Sequence, residues 1–430
     1  MKPYALVLGG GGARGVYQIG AMKVLHKMGF KFNAVIGTSV GALNGALLAQ
    51  DDFQKCMDAW DSIKLKDVVD LPDELLVNGQ LRISAQNLKF LQTYQRFVIK
   101  NGGLDTSPLR KTMQKLVDEK KIRRSGLDFG MVTYELKSFK PLEVFIDKIP
   151  QGQMIDYLMA TSALPGFKAT EINGRTFVDG GIFDNVPFNT AKNRGYKRII
   201  VIDVSAIGIV RKAEIDGTET IYLKNSVDLS NMLDFTTEAK RRGMLIGELD
   251  ALKLFNQVSG IKYFYDMDKA VAAKLTSILL HQNIVDSCRK LVSKKKKHKD
   301  DDNPEMMLRN ILPEDMRIYP QLSIPFMECA AMMLGVEVVK RYKMEELLLE
   351  IRRRFKQEDN NDIPINVQGI LSQLKQINIL DFVNTSRKAL PPGLLFRLED
   401  HLPVGSISTL IPQFIPARLF HLVLEEYFKN

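Results

Sequence analysis

Gly37-Thr38-Ser39-Val40-Gly41 is the most informative stretch of the chain. It is a G-x-S-x-G pentapeptide between two apolar segments of different character. Asn33-Ala34-Val35-Ile36 before it reads as a short buried strand, and Ala42-Leu43-Asn44-Gly45-Ala46-Leu47-Leu48-Ala49 after it reads as a helix. A serine on a tight strand-to-helix turn has its hydroxyl pushed into a cleft, and flanking glycines let the backbone turn and neighbours approach. The positive N-terminus of the following helix favours negative charge developing at Ser39. The pentapeptide also occurs by chance, so the strand and helix around it carry the reading. Asn33 to Gln50 has no charged residue, yet its glycines and its turn make it a buried strand–turn–helix and not a membrane span. Gly41 and Gly45 predict a helix lying close against the sheet.

A second strand–loop–helix unit stands upstream. Tyr4-Ala5-Leu6-Val7-Leu8 reads as a strand, Gly9-Gly10-Gly11-Gly12-Ala13-Arg14-Gly15 follows it, and a helix begins near Val16 and runs through Ala21, Val24 and Leu25. A glycine run in that position offers unblocked N–H groups that can hold an anion. Three readings compete. A Walker loop needs Lys-Ser or Lys-Thr after the last glycine, and Gly15 is followed by Val16. Gly10, Gly12 and Gly15 do spell G-x-G-x-x-G, but a dinucleotide site wants an acidic residue closing the second strand. That strand closes with Gly37-Thr38-Ser39. An oxyanion hole, built from Gly10, Gly11, Gly12, Ala13, Arg14 and Gly15 and facing Ser39, accounts for both glycine-bearing motifs.

Asp179-Gly180-Gly181 follows the strand-like Arg175-Thr176-Phe177-Val178, with Asp184, Asn185 and Pro187 close behind. Taken alone, an Asp-Gly-Gly sequence is a turn. A serine nucleophile also needs a base. His26, His281, His298, His401 and His421 are the five histidines, and none sits in a motif-like setting. A carboxylate can take the serine proton where burial keeps its pKa from being too low.

The order GGGARG (Gly10–Gly15), GTSVG (Gly37–Gly41) and DGG (Asp179–Gly181) resembles the patatin-like phospholipases. Gly103-Leu104-Asp105-Thr106-Ser107-Pro108-Leu109, Ser162-Ala163-Leu164-Pro165-Gly166-Phe167 and Asp179 through Pro187 also look like segments of that family. The resemblance covers roughly residues 4–205; beyond about residue 260 nothing specific is recognised. It implies an acyl hydrolase with Ser39 as nucleophile and Asp179 as base. It further implies Gly10–Gly15 as oxyanion hole, an elbow of Gly37, Thr38, Val40 and Gly41, and a motif completed by Gly180 and Gly181. Phospholipid or a related lipid ester is the implied substrate. A general carboxylesterase or thioesterase with the same dyad, and a nucleotide-binding regulatory protein using the glycine loop, stay open as alternatives.

Strand-like runs at Tyr4–Leu8, Asn33–Ile36, Phe129–Tyr134, Leu142–Ile146, Thr176–Val178 and Arg198–Val204 alternate with helical patterns. The fold class expected is α/β: a mostly parallel sheet covered by helices on both faces, with a mainly helical C-terminal region. The irregular stretch from Trp60 to Gly102 reads as a cap near the cleft. Helical patterns cover Thr236–Asn256, Lys269–Leu291 and Glu328–Phe355. The expected domains are 1–210 as catalytic α/β domain, 211–292 as a helical continuation packed on it, 293–305 as an exposed charged linker, and 306–430 as a mainly helical region. Pro391-Pro392, Pro403, Pro412 and Pro416 divide that last region into short helices.

The chain has 430 residues, 45% hydrophobic and 26% charged, an ordinary globular balance. Met1-Lys2-Pro3 leads straight into the first strand without a secretory pattern, and Cys56, Cys288 and Cys329 are odd in number and far apart. Reduced thiols and a cytoplasmic location, at most peripheral at the inner membrane surface, are therefore expected. No Cys or His pair has metal-ligand spacing, so no metal and no cofactor are expected, nor is a nucleic-acid partner. The net charge is +10, and Lys294–Lys299 concentrates positive charge. That run admits two readings: a solvated loop partly neutralised by Asp300, Asp301 and Asp302, or a segment that docks reversibly on an anionic bilayer.

Overall fold

The computed structural model describes residues 2–77, 80–81, 94–96, 98–292, 303–359 and 412–429. The lysine run 294–299, His298, His401, Pro391-Pro392 and Pro403 lie outside them, as does most of the expected linker. The chain divides into two compact units, Met1–Leu254 and Phe255–Asn430.

The first unit opens with β1 (Tyr4–Leu8), a short 3-10 turn over Gly12–Gly15, α1 (Val16–Lys27), β2 (Phe32–Thr38), α2 (Val40–Leu48) and α3 (Phe53–Ser62). The two-residue strands β3 (Leu76–Val77) and β4 (Gln80–Leu81) come next. They precede α4 (Ser107–Leu116), α5 (Glu119–Arg124), β5 (Asp128–Glu135), β6 (Lys140–Phe145) and α6 (Met154–Thr161). The unit closes with β7 (Thr170–Ile172), β8 (Arg175–Asp179), α7 (Phe188–Asn193), β9 (Arg198–Asp203), β10 (Glu219–Lys224) and α8 (Thr237–Leu254).

One sheet organises it, in the order β10-β9-β1-β2-β5-β8-β7, with β6 paired to β5. The pairs β10–β9, β9–β1, β1–β2 and β2–β5 are parallel; β6, β8 and β7 run antiparallel to their neighbours. Every residue of β1 is buried, as are Ile199–Asp203 of β9. That continuous apolar pattern belongs to strands covered on both faces. Covering helices pack closely: a Cβ on Gly20 of α1 would lie 1.9 Å from the Met244 carbonyl oxygen, and one on Gly247 of α8 would lie 2.0 Å from that of Tyr17. Glycine at both places lets the two helices cross backbone to backbone, which ties α8 to the first unit.

The expected α/β class with a mostly parallel sheet is the one observed. The six expected strands are all present in this sheet, where β7 and β10 are additional; the short pair β3–β4 was not expected either. The second unit is mainly helical: α9 (Lys269–Leu279), α10 (Gln282–Val292), α11 (Pro304–Asn310), α12 (Ser323–Met333), α13 (Met344–Asp359) and α14 (Phe414–Tyr427) accompany a two-stranded parallel pair, likewise not expected, β11 (Phe264–Asp266) and β12 (Arg341–Lys343). The single helix expected over Lys269–Leu291 is two, and the one over Glu328–Phe355 is two helices with β12 between them.

The division also falls elsewhere than expected. Residues 211–292 are not one continuation of the first domain. Leu275, Ile278, Ile284 and Cys288 share a buried core with Phe326, Leu348, Phe414 and Phe420, so the chain after Leu254 folds with the C-terminal helices. Among the described residues no helix is long and apolar enough to cross a membrane.

Candidate active site

Ser39 sits between β2 and α2 at φ 54° and ψ −129°, a left-handed φ that a serine adopts only when its surroundings impose it. The imposing contacts are visible. A Cβ on Gly37 would lie 2.3 Å from the carbonyl carbon of Gly41, and one on Gly41 would lie 2.2 Å from the Leu8 carbonyl oxygen. Both flanking glycines are thus needed for the close turn against β1. The Ser39 N–H donates to Thr161 Oγ1 at 3.0 Å, and that hydroxyl donates to the Val132 carbonyl. Ser39 caps α2, whose N-terminal dipole is directed at it.

Strand register brings the aspartate alongside. On β5, Val132 pairs with Thr38 at the end of β2, and the next residue, Thr133, pairs with Asp179 at the end of β8. Two strands therefore end side by side on one edge of β5, and their last residues lead into the serine turn and the Asp-Gly-Gly turn. Asp179 is 2% exposed and its Oδ1 accepts the Gly181 N–H at 2.7 Å. Burial pushes its carboxyl up to about 6, against the lowering influence of the Ser39 hydroxyl and the Gly181 amide. Among the described residues no donor reaches Oδ2 with regular hydrogen-bond geometry. Catalytic contacts are often loose before substrate arrives. Asp184, also fully buried, is pushed up to about 6 by burial as well; its carbonyl accepts the Thr38 hydroxyl at 2.9 Å and so fixes the end of β2.

The glycine loop lies over the serine: a Cβ on Gly10 would come within 3.1 Å of Ser39 Cβ. The six residues expected to form an anion hole are not equivalent. Gly10 N–H donates to the Asn185 carbonyl (3.0 Å), Ala13 N–H to that of Met232 (2.7 Å), and Arg14 N–H to that of Gly11 (3.1 Å). The Arg14 guanidinium bonds the carbonyls of Ser230 and Ser205, which makes it a clamp between loops. Gly15 closes the 3-10 turn. Gly11 and Gly12 are the two whose N–H groups have no backbone acceptor among the described residues. Gly12 has φ +57°, and a Cβ there would lie 2.3 Å from the Met232 carbonyl oxygen, so glycine is required.

A cleft runs from Ser39 between α2, α3 and α4. Leu43, Leu47, Trp60, Met113, Leu116 and Phe235 line it, with Gly12, Ser39 and Ser162 among the few polar or backbone elements. Trp60, Ile63 and Val68 come from the stretch expected to form a cap, so its described part does wall the cleft. A buried polar chain fixes that wall to the glycine loop. Trp60 Nε1 donates to Asn44 Oδ1 (2.8 Å), Asn44 Nδ2 donates to Gln18 Oε1 (2.8 Å) and to the Gly15 carbonyl (3.0 Å), and Gln18 Nε2 donates to the Gly9 carbonyl (2.7 Å). Sequence reasoning missed Asn44, Gln18, Thr161 and Ser162, whose hydroxyl is buried at the cleft without a partner among the described residues.

No histidine lines the cleft among the described residues. His26 stacks on Phe53 at 4.7 Å, His281 pairs with Glu426 at 2.6 Å, and His421 stacks on Phe355 at 4.2 Å. No group of three or more His, Cys, Asp or Glu suited to a metal ion occurs among the described residues.

Residues 6–192 match the family model of the patatin-like phospholipases. Patatin-like phospholipase domain-containing protein 6 is 28% identical over 212 residues in mouse and in human, covering 47% of this chain and 13% of those proteins. Lysophospholipase nte1 of Aspergillus terreus is 28% identical over 207 residues, covering 48% of this chain and 12% of that protein. The match thus takes in about an eighth of the relatives' own length. The solved structure of VipD from Legionella pneumophila aligns at 14% identity with a TM-score of 0.35, over 83% of this chain and 86% of that one. That similarity is too loose to carry any statement about this chain.

Proposed function

We propose that this chain, which carries a patatin-like phospholipase domain over residues 6–192, is a serine acyl hydrolase acting on lipid esters through Ser39 and Asp179. Ser39 Oγ attacks the acyl carbonyl carbon as Asp179 takes the hydroxyl proton. The carbonyl oxygen becomes an oxyanion held by the Gly11 and Gly12 N–H groups and by the N-terminus of α2. Collapse breaks the ester C–O bond, and the proton returns from Asp179 to the departing alcohol. Water, giving its proton to Asp179, then attacks the acyl-serine; collapse breaks the bond from the acyl carbon to Ser39 Oγ, the fatty acid leaves, and Asp179 returns the proton to Oγ.

The observation that carries this reading is the junction of a strained serine with an apolar cleft. The serine adjoins a buried aspartate raised to about 6, near the range where a base works best. The cleft suits a fatty acyl chain and offers little to a polar acyl group. From Val40 to Leu47 the cleft follows α2 for about 10 Å, the rise of seven residues at ~1.5 Å each. The test is a series of soluble esters of increasing acyl length, followed by phospholipid and lysophospholipid. Turnover should climb from acetyl towards medium chains and extend to the lipids. A preference for acetyl esters, with lipids untouched, would move the chain to the general esterase reading.

A further inference from the structure

In the parallel part of the sheet, the loops after the carboxyl ends of β1, β2, β5 and β9 leave from one edge. The glycine loop follows β1 and Ser39 follows β2. On either side of them in the sheet order stand the loop after β9 and the β5–β6 turn. Both present apolar side chains to solvent. Ile207 is 88% exposed, Ile209 57% and Val210 51%; Phe139 is 76% exposed and Leu136 39%. Single exposed apolar residues are ordinary, but three within four positions are not. Lys137, Lys140, Arg211 and Lys212 flank them and are exposed. Glu135, the nearest acid in the β5–β6 turn, is already ion-paired with Arg175.

The loop after β9 is fixed at its stem to the aspartate turn. Ile209 N–H donates to the Gly181 carbonyl at 2.9 Å, and Asn185 N–H donates to the Ile209 carbonyl at 2.7 Å. Whatever this loop touches is therefore held beside the turn that carries Asp179. We propose that this carboxyl edge is a docking face for a bilayer containing anionic phospholipid. Ile207, Val210 and Phe139 enter the interfacial layer, and Lys137, Lys140, Arg211 and Lys212 meet the headgroups. The proposal rests on the lipid-ester reading for its purpose, and its occupant follows from shape and charge. The strands that carry the two loops, β9 and β5, stand three strand spacings apart in the sheet, about 14 Å at ~4.8 Å each. Separate apolar tips ringed by cations suit a fluid anionic interface.

The test uses the full chain and vesicles of phosphatidylcholine, with and without phosphatidylglycerol. Wild-type protein should co-sediment more strongly as phosphatidylglycerol increases and less as salt is added. The double variant Ile207→Ser with Phe139→Ser should bind vesicles about tenfold more weakly or worse, with hydrolysis of a soluble ester unchanged. The double variant Lys137→Gln with Lys212→Gln should lose mainly the phosphatidylglycerol-dependent part. Equal binding by wild type and the Ile207/Phe139 variant overturns the proposal. So does a wild type that ignores all vesicles but self-associates through the same two residues, which would assign the patch to a second copy. Vesicle binding lost in that variant, in a protein that hydrolyses no ester, would keep the docking face and overturn the hydrolase reading.

Discussion

Asn185 and Gly10 hold each other twice: the Gly10 N–H donates to the Asn185 carbonyl at 3.0 Å, and Asn185 Nδ2 donates to the Gly10 carbonyl at 3.2 Å. This reciprocal pair joins the loop over Ser39 to the turn that carries Asp179. It holds in place the loop whose Gly11 and Gly12 amides are proposed to receive the oxyanion.

Asn185→Ala removes one half of that pair and leaves the backbone half. It should lower kcat on a soluble ester by about ten- to a hundredfold, the range for weakening one oxyanion contact, with little change in KM. Gly10→Ala should do more, since its Cβ would lie 2.5 Å from Asn185 Oδ1. Steady-state kinetics of both variants decide it; an Asn185→Ala protein with wild-type kcat would detach the pair from catalysis.

The raised Asp179 pKa fixes a pH dependence and its sign. In its proposed role as base Asp179 works only when ionised, so kcat/KM should rise as pH climbs through about 6 and level above it. Stability runs the other way. Because the folded-state value is raised from 3.8 to about 6, the contribution is full below pH 4 and lost as pH rises through 6. Two units correspond to roughly 3 kcal/mol. Asp179→Asn should therefore be inactive yet more stable than wild type at pH 7.5, with the gap closing towards pH 4. Denaturant melts at both pH values measure it, and a less stable Asn variant at pH 7.5 would contradict the burial argument.

The turns that meet at the candidate site were legible because they are local: each of Ser39, Asp179 and the glycine run carries its own turn sequence. The division of labour within Gly10–Gly15 was not, since it depends on the carbonyls of Asn185 and Met232, far away in the chain. Asn44 sat unnoticed in an apolar helix because its partners, Gln18 and Trp60, come from two other helices. The edge strand β10 escaped because Glu219–Lys224 is mostly exposed, with Leu223 its one buried residue. The boundary at Leu254 has no proline or charge run to mark it; it follows from which residues share the core of Leu275, Phe326 and Phe420.

Leu47 lies two helical turns beyond Ser39 along the cleft wall, 3% exposed. Leu47→Trp fills that end and should shorten the preferred acyl chain by several carbons while leaving the shortest esters nearly unaffected. Relative kcat/KM across a chain-length series reads the shift. An unchanged profile would place the acyl chain outside this cleft.

The most direct measurement is labelling of the full chain with a fluorophosphonate, followed by peptide mass spectrometry. A Ser39 nucleophile activated by Asp179 requires one modified residue, Ser39, with labelling abolished in folded Ser39→Ala and strongly slowed in Asp179→Asn. Ester hydrolysis in Ser39→Ala should fall by about 10⁴-fold or more. Modification of another residue, or a folded Ser39→Ala protein that keeps its hydrolysis, would contradict it.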